Sequence, residues 1–150
     1  MHSKALFKIK KQLLDQDKSI SKNEFEVCGI ISGRKKGNEY IASKIYIMEN
    51  KIKSFVRFEI DNDNLYQIYR KIESYNESVI GIYHSHPSHP IPSKTDLEYM
   101  KINPIPWLIK STTENQIRCF IYIDNEISKD IIGKENCYKK FQEIVLQIMD

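Results

Sequence analysis

A single α/β domain, with a mixed β-sheet flanked by helices, is the fold class the sequence predicts, on three observations. Strand-like and helix-like apolar patterns alternate along the chain. Its 150 residues make the size of one domain, long enough to bury roughly 70% of the unfolded surface. No Pro/Ser-rich linker, low-complexity tract or internal repeat divides it, so one domain over residues 1–150 is expected.

The elements follow in order. Ala5, Leu6, Ile9, Leu13 and Leu14 recur at helical spacing, which predicts an opening helix to about Asp17. EVCGIISGR and EYIASKIYIMEN are β-rich runs on either side of the turn-forming KKGN, the pattern of a hairpin, and VRFEI is a candidate third strand. DNDNLYQIYRKIESY places Asp and Asn caps before Leu65, Ile68, Tyr69 and Ile72, the stripe of an amphipathic helix. SVIGIYHSH reads as a buried strand; a Pro-rich loop follows, then a short helix from near Ser93 and the strands PWLIKS and IRCFIYI. A terminal helix from about Glu135 is expected to carry Tyr138, Phe141, Ile144, Val145 and Ile148 on one face. Such a stripe has to be buried against the domain or against a second copy of the chain, as a homodimer.

Composition excludes several function classes. The net charge of +3 comes from 23 basic and 20 acidic residues interspersed throughout, without the basic stripe of a nucleic-acid reader, so no nucleic-acid partner is expected. Cys28, Cys119 and Cys137 are odd in number and far apart, giving neither a disulfide framework nor a CxxC metal pair; a reducing cytoplasm is the expected compartment. No apolar run approaches the roughly 18 residues of a membrane span, and the start MHSKALFKIKKQLLDQDKS is too charged for a signal peptide, so no membrane association is expected.

The chemistry concentrates in YHSHPSHPIPSKTD, Tyr83 to Asp96. On a β-strand, side chains at i and i+2 share a face, so His84 and His86 point together while Ser85 points away. Pro87 cannot extend the ladder, and the chain to Pro92 is expected to turn back over the strand end, which lets Asp96 return as a third ligand. Two imidazoles and one carboxylate leave the fourth tetrahedral position of zinc open, the arrangement of a catalytic site. A plainer reading stands beside this one: HxH at a sheet end is also met as a pair of polar residues, and Ser93-x-x-Asp96 is also a helix capping box. His89, among prolines, reads as an exposed bystander.

Glu26 in EVCGIISG, His84 and His86 in HSHP, and Ser93 with Asp96 in PSKTD occur in the order found in the JAMM or MPN+ zinc metallopeptidases, and from about Glu26 to Ser111 the chain resembles that family, in its stand-alone prokaryotic JAB-domain form. The resemblance implies the MPN (JAB) fold, of cytidine-deaminase-like architecture, with His84, His86 and Asp96 binding Zn2+. It also implies that Glu26 is the general base and acid, taking a proton from the attacking water and passing it to the leaving amine. Ser93 would hydrogen-bond the developing oxyanion. Cys28 in the same motif is expected to pack in the core, since a water nucleophile already accounts for the chemistry. One departure is visible: the family places seven residues between the second His and the Ser, and PSHPIP supplies six. Base deamination is disfavoured, because the Cys-x-x-Cys ligand pair of the cytidine deaminases is absent.

The activity implied by the resemblance is cleavage of isopeptide or peptide bonds after the C-terminal Gly-Gly tail of a ubiquitin-like modifier, with a sulfur-carrier protein as the alternative substrate. An extended tail of this kind is suited to joining a sheet edge as an added strand. Relatives that lost the metal residues serve as scaffolds; the presence of Glu26, His84, His86 and Asp96 argues against that role here.

Overall fold

The computed structural model describes residues 4–15, 27–48, 62–123 and 140–150. Among them are seven strands, β1 Leu6–Lys10, β2 Val27–Lys36, β3 Glu39–Met48, β4 Ser78–His86, β5 Trp107–Ser111, β6 Gln116–Tyr122 and β7 Phe141–Met149, and three helices, α1 Lys11–Leu14, α2 Asn62–Ser74 and α3 Lys94–Ile102. The strands close into a barrel in the order β1-β3-β2-β4-β5-β6-β7. The sheet is mixed as expected: β1 runs parallel to both β3 and β7, β4 runs parallel to β5, and the remaining pairs are antiparallel.

Every strand contributes to the interior. Phe7, Ile9, Val27, Ile31, Ala42, Ile45, Ile80, Tyr83, Leu108, Cys119 and Ile144 form one buried cluster. Outside the barrel, α2 lays Leu65, Ile68 and Ile72 of its predicted stripe against Ile30, Met48 and Val79, whereas Tyr69, placed in the same stripe, is 41% exposed. On another face Leu97 and Met100 of α3 pack with Trp107, Ile109 and Phe120. The hairpin β2–β3 turns through Gly37 and Asn38, with Gly37 at φ +58°, a backbone state that glycine adopts without steric cost.

A bulge sets the phase of β4. The ladder pairs Ile31 with Gly81 and Ser32 with Val79, skipping Ile80. Val79 therefore joins the α2-side cluster, Ile80 and Tyr83 the interior, and Ile82 the α3 side. Beyond the bulge the ordinary period of two carries His84 and His86 to the face of Ile82, beneath α3.

Two sequence expectations are corrected. The opening segment does not begin as a helix: Leu6–Lys10 is a strand, with Phe7 and Ile9 fully buried, and among the described residues up to Asp15 the α-helix is confined to Lys11–Leu14. Apolar residues at helical spacing coexisted with an alternating FKIK, and parallel pairing on both sides decided for the strand. The terminal helix is likewise replaced by β7, which pairs with β6 through Phe141–Ile144 and with β1 through Val145–Met149. Its apolar residues do not form one face. Ile144 is buried, while Val145 and Ile148 are 56% and 46% exposed, so Phe141–Ile148 do not present a helical stripe. Tyr138, Glu135 and the VRFEI run lie outside the described residues.

Where β6 meets β7, Arg118 and Glu143 form a bidentate pair, Nε to Oε2 and Nη2 to Oε1, both at 2.7 Å. The hydrogen bond from Arg118, reinforced by its charge and opposed by slight burial, holds the Glu143 carboxyl below its ordinary value. The pair is exposed, so Glu143→Gln is expected to cost less than about 1 kcal/mol at neutral pH. A depressed carboxylate contributes fully above the unfolded pKa of about 4.3 and loses its contribution as pH falls through the lower folded value. Urea midpoints of wild type and variant should therefore differ at pH 7 and converge in acid.

Candidate metal centre

Strand β4 ends at His86, and the loop from Pro87 to Pro92 returns the chain to the N-terminus of α3. This brings His84, His86 and Asp96 together, with one donor atom from each lying within 4.8 Å of the others. His84 Nε2 stands 3.4 Å from Asp96 Oδ1, and His86 Nε2 stands 3.7 Å from Asp96 Oδ2. All three residues are about 95% buried, at 5%, 4% and 5% exposure. Both rings face the same side of β4, their centroids 5.4 Å apart. The Trp107 indole, 6.4 Å from His84 and anchored by its Nε1 donating to Asn103 O, walls the site on the α3 side.

Asp96 is aimed by a capping box. Its backbone N–H donates to Ser93 Oγ at 3.0 Å, while Ser93 N–H donates to Asp96 Oδ2 at 2.9 Å. The cap that the sequence suggested is therefore real, and it fixes the carboxylate that faces the histidines. It does not exclude a second role for Ser93, because a hydroxyl accepting one hydrogen bond still carries a proton to donate. Ser93 is exposed, at the rim of the cluster.

The donor set fits a divalent cation. Burial, the largest influence, lowers the pKa of His84; Asp96 opposes the shift and His86 adds to it. At neutral pH His84 thus keeps the lone pair that a metal needs. Among the described residues His86 Nε2 is buried without a hydrogen-bond partner, while its Nδ1 lies 2.8 Å from Ser88 Oγ. An imidazole held by a partner at one nitrogen keeps the other oriented and free to bind a metal. Ser88 was not singled out in the sequence; the only signal was its place two residues beyond His86, which no periodicity ties to the ring.

Glu26 lies outside the described residues; its neighbour Val27 opens β2, pairs with Ser85 and donates its N–H to Ser85 Oγ at 3.2 Å. Cys28 is buried in β2 opposite His84. Cys119 lies in the barrel interior, where burial pushes its thiol far above the ordinary range. His89, read as a bystander, is 2.7 Å from Glu114.

Residues 10–121 match the family described as prokaryotic homologs of the JAB domain. That span contains Glu26, His84, His86, Ser93 and Asp96. A desampylase of Pyrococcus furiosus is 39% identical over 93 residues, 61% of this chain and 64% of that protein. A desampylase of Haloferax volcanii is 35% identical over 74 residues, 49% of this chain and 52% of that protein. The chain thus spans between about half and two thirds of the length of these curated relatives. The solution structure of a Desulfitobacterium hafniense protein superposes with a TM-score of 0.70 at 19% identity, covering 96% of this chain and 93% of that one, a likeness of fold.

Proposed function

The chain belongs to the prokaryotic homologs of the JAB domain, and from that premise we propose that it is a zinc-dependent isopeptidase, hydrolysing the bond after the C-terminal Gly-Gly tail of a ubiquitin-like modifier. The observation that carries this reading is the buried convergence of His84, His86 and Asp96. The similarity to two desampylases, proteins named for removing a small ubiquitin-like modifier, supports the substrate class.

In this reading His84, His86 and Asp96 hold the ion. Zinc bound there supplies Lewis acidity, polarising a carbonyl and lowering the pKa of a water to about 7. The chain's own groups do the rest. The Glu26 carboxylate accepts a proton from the attacking water as its oxygen adds to the carbonyl carbon. It returns that proton to the departing nitrogen as the C–N bond breaks, leaving a free amine and a carboxyl tail that ionises by losing the water's second proton to solvent. The Ser93 hydroxyl donates to the developing oxyanion while its lone pair keeps the Asp96 amide. The Trp107 indole beside His84, itself packed in an apolar cluster with Leu97 and Met100, lowers the polarity on that side of the site, which strengthens the polar contacts there.

Incubating the protein with conjugates of candidate modifiers, with and without chelator, tests the reading by the masses of the released ends. A modifier ending in a free Gly-Gly carboxylate and an intact partner amine are expected, and only without chelator. Release limited to sulfur-carrier precursors would transfer the same chemistry to that substrate; no cleavage of either class would reject it.

Ser93→Ala separates the two roles of Ser93. Loss of the cap is expected to cost about 1 kcal/mol of stability, and loss of the oxyanion donor about 10²-fold or more in turnover per folded molecule, with zinc retained. Melting temperature and turnover on one preparation check both; a destabilised variant of full turnover would leave Ser93 as a cap only.

A further inference from the structure

We propose that the β5–β6 turn, Thr112 to Asn115, is the positioning element of the metal centre and acts on the ligand His86 through Ser88. The proposal deepens the reading of His84, His86 and Asp96 as a metal site and rests on it.

The loop after His86 has little means of holding itself. Pro87, Pro90 and Pro92 have no N–H to donate, and the hydrogen bond within the loop is Ile91 N to His89 O at 2.8 Å. Anchorage has to come through its carbonyls and side chains, and the turn supplies it residue by residue. Thr112 N donates to His86 O at 3.0 Å, Thr113 Oγ1 donates to Pro87 O at 3.0 Å, and Glu114 Oε1 meets His89 Nδ1 at 2.7 Å. The turn is itself braced, since Glu114 N donates to Ser111 Oγ at 3.0 Å and Ser111 Oγ lies 3.2 Å from Thr113 Oγ1. Asn115, at φ 52°, takes the left-handed state that turns the chain into β6.

Ser88 sits between the two pinned residues, Pro87 and His89, and its hydroxyl is the partner of His86 Nδ1. Holding Pro87 through its carbonyl and His89 through its ring restrains Ser88 between them, and with its hydroxyl the ring angle that presents Nε2 to the ion. The six-residue loop is thus oriented from two ends, by the capping box at Asp96 and by the turn at Ser88. His89 is part of this clamp, and Thr113 and Glu114 are positioning residues that touch no ligand.

The test measures zinc affinity by competition with a chromogenic chelator on the full chain, stripped and reloaded. Ser88→Ala is expected to weaken zinc about 10- to 100-fold, the scale for removing an outer-shell partner. Thr113→Val, of equal shape without the hydroxyl, is expected to weaken it about 2- to 10-fold, the scale of one neutral hydrogen bond. Thr113→Ser should restore wild-type affinity. In the Ser88→Ala background Thr113→Val should add nothing, because its effect runs through Ser88. Unchanged affinity in Thr113→Val, failure of Thr113→Ser to rescue, or an undiminished Thr113→Val effect in the Ser88→Ala background would each overturn the proposal. A wild-type chain that binds no zinc would overturn the metal-site reading with it; zinc binding that is indifferent to all three substitutions would overturn the clamp alone.

Discussion

His86→Ala is expected to abolish zinc binding and hydrolysis together while the barrel stays folded. The ring it removes is 96% buried, has no hydrogen-bond partner at Nε2 among the described residues and faces Asp96 Oδ2 at 3.7 Å. Removing an outer-shell partner typically costs 10- to 100-fold in metal affinity, and losing one of three protein ligands must cost more. The fold tolerates the change, because the core is built from residues on the opposite face of β4, Ile80 and Tyr83. Metal content, far-UV circular dichroism and turnover on one sample check all three parts. Retained zinc with lost activity would place the ion elsewhere; lost zinc with retained activity would make the reaction independent of it.

Glu26→Gln is expected to separate binding from chemistry. Gln is close in size to Glu but cannot shuttle a proton, so turnover should fall by about 10²- to 10⁴-fold, the usual contribution of a general acid–base group. The ligand set is untouched, so zinc should remain at wild-type stoichiometry. Near-normal turnover would remove the role from Glu26. Because the two substitutions alter different parts of one machine, their effects on turnover are not expected to add.

What the sequence revealed and what it hid have physical causes. The hairpin β2–β3, α2 and β4 were legible because their signals are local. The turn needs a glycine at Gly37, α2 has to bury Leu65, Ile68 and Ile72 on one side, and β4 is apolar on both faces. The shared face of His84 and His86 was legible because the irregularity of β4, at Ile80, lies before them and not between them. The capping box at Ser93 was legible from its i, i+3 spacing. The barrel closure was not. It joins β1 to β7, strands from opposite ends of the chain, and nothing in LFKIK or FQEIVLQIM announces a partner some 140 residues away. In segments of five and nine residues an apolar set at helical spacing is compatible with a strand, and the non-local ladder decided. Ser88 and its clamp were hidden for the same reason, since Thr113 and Glu114 reach the loop only across the β4–β5 pairing.

Titrating zinc into the metal-stripped protein, while following bound metal and hydrolysis of a modifier conjugate in the same cuvette, tests the central claim most directly. One tightly bound zinc per chain is expected, with hydrolysis rising in proportion and reaching its plateau at one equivalent. Full hydrolysis in the stripped protein, or saturation of a tight site with no hydrolysis gained, would contradict the account.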